Sequence, residues 1–169
     1  MISKTTMIIN SLTEDFILIY NIHVPINDIS NVVSAFGGYI EEIPDDLCSG
    51  IKKQNDRFVI YVPSFYSAER KRFAIAQELG HLFLHMGYMI SPELWEKQKN
   101  MAYYGSKSPL EEYQANEFAG ALLMPKDIYK KVLDQYTAGN KVQTAKIAEY
   151  FGVSVSTAYS RGKLLGLLV

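Results

Sequence analysis

This chain of 169 residues contains little cysteine and has almost no net charge. Its one cysteine, Cys48, allows neither an internal disulfide nor a cysteine-ligated zinc site. The net charge of −1 gives no general attraction to nucleic acid or to a membrane surface. No run reaches the roughly 18 apolar residues of a membrane span. Glu14 and Asp15 also interrupt the apolar N-terminal stretch, which is not typical of a signal peptide. We therefore expect a cytoplasmic protein with no membrane partner.

The rest of the composition is ordinary for a globular protein. Hydrophobic residues make up 48% of the chain and charged residues 21%, which suits a folded core. A chain of this length can bury such a core alone, so we expect a single domain over residues 1–169. Residues 1–25 are predicted to hold an N-terminal helix, from about Ser11 to Tyr20, and a connector.

The hydrophobic pattern predicts a mostly helical α+β fold. A helix from about Asp28 to Phe36 precedes a small antiparallel sheet, and two long helices and a helix-turn-helix-like segment follow. The predicted strands are Tyr39–Ile43, Leu47–Lys53 and Arg57–Val62. Residues 88–110 are predicted to be a surface excursion with a short helix near Pro92–Asn100. The later helices are Leu110–Met124 and Lys126–Tyr136.

Residues 142–169 have the rhythm of a helix-turn-helix, with Gly152 and Ser154 in the turn. Their positive charge is modest and does not form the concentrated patch typical of a DNA reader. We therefore interpret this segment as a C-terminal packing unit, and DNA binding is not expected.

The stretch Arg72–His85 predicts a helix with polar groups on an otherwise apolar sequence. Gln77, His81 and His85 are spaced i, i+4, i+8 and share one face, and Glu78 lies beside it. With histidine at position 77, this would be the zinc-peptidase pattern H-E-x-x-H. In that pattern two histidines bind Zn²⁺ and the glutamate is the general base.

A catalytic zinc needs three protein ligands and an open position for water. His81 can supply one ligand, and Glu112 on the helix Leu110–Met124 can supply another. Asn116, one turn after Glu112, could accept a hydrogen bond from the far nitrogen of His81 and fix its tautomer. Glu78 would be the general base.

Several of these segments together resemble the ImmA/IrrE family of metallo-endopeptidases. They are Ala76-Gln77-Glu78-Leu79-Gly80-His81, Glu112-Tyr113-Gln114-Ala115-Asn116-Glu117-Phe118-Ala119 and Leu122-Leu123-Met124-Pro125. The resemblance spans roughly residues 27–168. It implies a zincin-like fold, a zinc cofactor and a bacterial or phage origin. It also implies a substrate class of helix-turn-helix transcriptional repressors. By motif position His81 and Glu112 match metal ligands, Glu78 matches the catalytic base, and Gln77 occupies the remaining ligand position.

Gln77 departs from the family pattern, because an amide oxygen is a neutral and weak ligand for zinc. Four interpretations stay open. Gln77 could keep a weakened site through its oxygen, or the ligand pair could shift one turn to His81 and His85, with Leu82 then in the place of the base. The chain could be a metal-free relative, or Gln77 could be an introduced substitution that disables the enzyme. We interpret His85 as a residue that supports a ligand, not as a ligand itself.

Two functions follow. The first is a zinc-dependent metallo-endopeptidase-like protein that acts on a helix-turn-helix repressor, with catalysis that Gln77 can impair. The alternative is a non-catalytic relative that binds a repressor without cleaving it. The sequence alone leaves open whether the chain is an active hydrolase.

Overall fold

The computed structural model describes residues 3–44, 48–98, 102–104 and 108–169. Their contacts form two compact units, one of residues 28–119 and one of residues 1–27 and 120–169. A single domain over residues 1–169 stays a prediction. Leu47, the predicted start of the second strand, lies outside the described residues. In chain order the elements are α1 (Lys4–Ile19), α2 (Ile29–Ala35), β1 (Tyr39–Ile43), β2 (Gly50–Gln54), β3 (Arg57–Pro63), α3 (Ala68–Leu84), α4 (Pro92–Lys97), β4 (Ala102–Tyr104), α5 (Pro109–Leu123), α6 (Lys126–Gln135), β5 (Thr137–Ala138), β6 (Lys141–Val142), α7 (Thr144–Phe151) and α8 (Val155–Leu164).

The unit of residues 28–119 contains a four-stranded mixed sheet in the order β1-β3-β2-β4. Strand β2 pairs antiparallel with β3 and with β4, as predicted for a small antiparallel sheet, but β1 pairs parallel with β3. The direction of this pairing follows from the chain's path between β1 and β3, which the apolar pattern of a strand does not show. Phe58, Val59 and Ile60 are fully buried, which suits the central place of β3.

Strand β4 lies within residues 88–110, which were predicted to be a surface excursion. Its three residues pair with β2, from Gly50 opposite Tyr104 to Lys52 opposite Ala102. A strand this short shows no alternation that sequence could reveal, since its pairing comes from a distant segment. The short helix predicted in the same stretch is present as α4.

Helix α3 begins where its capping residues predict. The Ser67 side chain accepts a hydrogen bond from the Arg70 N–H, and Glu69 lies in the first turn, near the positive end of the helix dipole. Leu79, Leu82 and Phe83 form its buried apolar side. His85 is the C-cap residue, so the motif occupies the last two turns of this helix.

Helices α3 and α5 cross at Gly80. A Cβ atom built on Gly80 would lie 2.9 Å from the Ala115 Cα and 3.1 Å from the Phe118 Cβ. Real Cβ atoms do not come this close to backbone, so the crossing requires glycine at position 80 and a small residue at position 115.

The second unit contains α1, the last turn of α5 and α6–α8. The Tyr129 hydroxyl donates to the Ala158 carbonyl at 2.7 Å, and the buried Arg161 donates to the Met124 carbonyl at 3.1 Å. Gly152, in the left-handed conformation, ends α7 and opens the turn to α8. The predicted helix-turn-helix-like arrangement of residues 142–169 is therefore present.

Helix α1 is longer than the predicted Ser11–Tyr20. It begins at Lys4, because the Ser3 hydroxyl accepts a hydrogen bond from the Thr6 N–H. Polar residues interrupt its apolar pattern, and one of them, Thr13, bonds back to the Ile9 carbonyl at 2.6 Å. Among the described helices, none has both the length and the apolar character needed to cross a bilayer.

We expect Gly80→Ala to lower the free energy of unfolding by about 1–2 kcal/mol, because overpacking outweighs the gain in helix propensity. Urea denaturation of the full chain measures the change. Gly120→Ala is the matched control in α5, since its Cβ would lie an ordinary 3.4 Å from the nearest atom, the Arg161 Cδ. That control should stabilise the chain by about 0.5–1 kcal/mol. Equal stabilisation by both variants would contradict the close crossing.

Candidate active site

Helix α3 places the motif residues at different depths. Glu78 is 5% exposed and His81 is 2% exposed, so both are buried, while Gln77 and His85 are half-buried. An ionisable group at such depth costs free energy unless polar partners surround it. Buried ionisable residues of this kind are therefore candidates for a functional site.

Glu112 in the first turns of α5 faces His81, as the sequence predicted. The His81 Nε2 and the Glu112 Oε1 are 3.4 Å apart. Two atoms that each lie about 2.0–2.2 Å from one tetrahedral zinc stand about 3.3–3.6 Å apart. The spacing of this pair is therefore that of two ligands of one ion. The Glu112 side chain is 36% exposed, so the pair is open to solvent on the carboxylate side.

Gln77 reaches the same carboxylate. Its Nε2 donates a hydrogen bond to the Glu112 Oε2 at 2.8 Å. The amide thus presents its N–H to Glu112, whereas a metal ligand would present its oxygen to an ion. The structure brings Gln77, His81 and Glu112 together. At position 77, where the zinc-peptidase motif has a histidine, the side chain makes a hydrogen bond to Glu112.

His85 and Gln114 continue the network on the other side of His81. The Nδ1 atoms of His81 and His85 are 2.9 Å apart, and the His85 Nε2 lies 3.0 Å from the Gln114 Oε1. His85 thus contacts His81 at hydrogen-bond distance, and its support of a metal ligand stays a prediction. Asn116, expected to hold the far nitrogen of His81, is solvent-exposed, and His85 takes that place. Sequence reasoning missed Gln114, because one polar residue on a helix gives no sign of its partner.

Ser49 holds the buried Glu78. The Ser49 hydroxyl donates to the Glu78 Oε1 at 2.9 Å across 29 residues of sequence. Ser49 directly precedes β2 and lies in the strand predicted at Leu47–Lys53, but a single serine gives no sign of its partner, so the sequence did not indicate this contact. The hydrogen bond fixes one oxygen of the carboxylate that matches the catalytic base.

The donor set fits a zinc ion only in part. His81 and Glu112 have suitable chemistry and spacing. Within the described ranges, no group of three His, Cys, Asp or Glu side chains could hold a metal ion. The third donor would be the Gln77 amide, whose nitrogen faces Glu112. As a complete set, these residues do not fit a catalytic zinc.

We expect Ser49→Ala to destabilise the fold by about 1.5–3 kcal/mol, because it removes a hydrogen bond to a buried carboxylate. In a Glu78→Gln background the same change should cost only about 0.5–1.5 kcal/mol, since the acceptor is then neutral. A double-mutant cycle by urea denaturation measures the difference. Equal costs in the two backgrounds would show that the two side chains are not coupled.

Comparison with known proteins concerns first the fold and then the family. The structure is similar to that of a Mycobacterium tuberculosis transcriptional regulator, with a TM-score of 0.58 and 16% sequence identity. The match covers 90% of this chain and 45% of the regulator, so the chain spans less than half the length of that protein. At this identity the likeness concerns the fold alone. No curated protein matches the chain in sequence.

A family model gives the assignment. Residues 39–162 match Peptidase_M78, the IrrE N-terminal-like domain. The matched segment contains Gln77, Glu78, His81 and Glu112, and it covers well over half of the chain. The chain therefore belongs to the Peptidase_M78 family of IrrE N-terminal-like domains, the ImmA/IrrE family that its motifs resemble.

Proposed function

We propose that this chain is a metallopeptidase-like protein that recognises a helix-turn-helix transcriptional repressor and that Gln77 leaves it with little or no hydrolytic activity. Family membership supports the metallopeptidase-like part. The repressor as partner, a cytoplasmic location and a bacterial or phage origin rest on the resemblance. The hydrogen bond from Gln77 to Glu112 is the observation that supports the loss of activity.

That hydrogen bond opposes metal binding in two ways. It engages one oxygen of the carboxylate that faces His81, and a metal would have to displace it. The amide would then have to turn its oxygen toward the ion, where it remains a weaker donor than imidazole. Gln77 therefore stabilises the metal-free arrangement and weakens the metal-bound one.

Exposed apolar residues beside the site support protein recognition. Leu110 is 61% exposed and Tyr113 is 41% exposed, and both lie within two residues of Glu112 on α5. A protein partner that covers both side chains would remove this apolar surface from water. The partner would thus lie over the start of α5 and leave the metal-free network intact.

A second candidate is an active zinc peptidase with a weakened metal site. The 3.4 Å spacing of His81 and Glu112 favours it, as does the burial of Glu78. In this reading His81, Glu112 and the Gln77 amide oxygen would hold the ion. Zinc supplies Lewis-acid activation of water in enzymes of this class. The Glu78 carboxylate would accept the proton that this water loses.

Zinc content and cleavage of the wild-type chain and of Gln77→His decide between the two. After loading with zinc and desalting, we expect less than about a tenth of an equivalent in the wild type and about one equivalent in Gln77→His. Only Gln77→His should cleave helix-turn-helix repressors of the source organism, with fragments measured by mass spectrometry. The wild type should instead co-purify with an uncut repressor.

The control is the double variant Gln77→His, Glu78→Gln, which should bind zinc without cleaving, because it has the third ligand but lacks the base. Full zinc occupancy and repressor cleavage by the wild type would overturn our proposal in favour of the active peptidase. Failure of Gln77→His to gain zinc would contradict the assignment of His81 and Glu112 as ligands.

A further inference from the structure

We propose that His85 and Gln114 are positioning residues that hold His81 with its proton on Nδ1, so that the lone pair of its Nε2 faces Glu112. The three side chains Gln114, His85 and His81 are called the relay here. The inference concerns the folded, metal-free chain and stands whether or not the protein cleaves a substrate.

The donors and acceptors of these hydrogen bonds follow from the Gln114 side chain. Its Oε1, 3.0 Å from the His85 Nε2, can only accept, so the His85 Nε2 must carry a proton. A neutral imidazole has one N–H, and the His85 Nδ1 is therefore an acceptor. The His81 Nδ1, 2.9 Å away, must then be the donor, and in a neutral His81 this leaves the Nε2 without a proton.

The distance on the far side of His81 is compatible with the same tautomer. An N–H that donates to a carboxylate usually stands about 2.7–2.9 Å from the oxygen. The His81 Nε2 is 3.4 Å from the Glu112 Oε1, beyond that range, so the contact does not require a proton on Nε2.

The relay is anchored on both helices of the crossing. His85 caps the C-terminus of α3, and Gln114 lies on α5 two residues after Glu112. The rings of His81 and His85 are 5.0 Å apart between centroids and inclined at 50°. The same two helices therefore set the position of Glu112 and the tautomer of the imidazole that faces it.

The test is a direct measurement of the histidine tautomers in the full chain. The protein is labelled with ¹⁵N-histidine, freed of metal with a chelator and studied well above the ordinary imidazole pKa of about 6.5. Long-range ¹H–¹⁵N correlation spectra distinguish a protonated ring nitrogen from an unprotonated one by its ¹⁵N shift. We expect His81 to be protonated on Nδ1 and His85 on Nε2. His81→Gln and His85→Gln identify the signals.

Gln114→Met removes the acceptor and nearly preserves the shape of the side chain. It should shift the His81 population toward the Nε2–H form. Gln114→Glu, which can only accept, should keep the wild-type tautomer and so rescue the relay. Asn116→Ala is the matched control on α5, because Asn116 is exposed and should leave the spectrum unchanged.

Two results would overturn the relay. One is a wild-type His81 protonated on Nε2. The other is a His81 spectrum that is the same in Gln114→Met as in the wild type. Where Gln114→Met fails to fold, Gln114→Glu decides the same point, since a changed tautomer there would exclude acceptance by residue 114. None of these spectra depends on zinc or cleavage, so failure of the proposed function would leave this result standing.

Discussion

Helices α3 and α5 meet at Gly80 and Ala115 with no side chain between their backbones, and the contacts of the site depend on that approach. His81 follows Gly80 directly, and Glu112 precedes Ala115 by about one turn. Side chains of the two helices can therefore contact each other directly across the crossing. A wider separation of the two helices would break the contacts of Glu112 with Gln77 and His81 and that of Gln114 with His85 together.

The two carboxylate oxygens of Glu112 contact two different side chains, an amide and an imidazole. One of its oxygens accepts from the Gln77 amide, and the other faces the His81 imidazole. In a zinc site the same carboxylate would give its charge to the ion. In this chain the Gln77 amide instead donates a charge-assisted hydrogen bond to that carboxylate. The fold of the family and the buried Glu78 are present together with this departure from its motif.

The sequence predicted what depends on local pattern. Capping by Ser67, the apolar side of α3 and the spacing of Gln77 and His81 located the site helix, and the motifs indicated that Glu112 would face it. The parallel pairing of β1 with β3 and the roles of Ser49 and Gln114 were not predictable. All three depend on contacts between distant segments, which are five residue pairs for the two strands and one hydrogen bond for each of the two side chains. Such contacts leave no periodic trace in the chain.

The position of Gln77 has a consequence at the level of the gene. Glutamine and histidine codons differ only in their third base, so one nucleotide change interconverts the two residues. Because the partners of position 77 are already in place, such a change would need no compensating adjustment in α3 or α5. The H-E-x-x-H pattern and its glutamine variant are therefore one mutational step apart in this chain, and selection can act on either residue without rebuilding the domain.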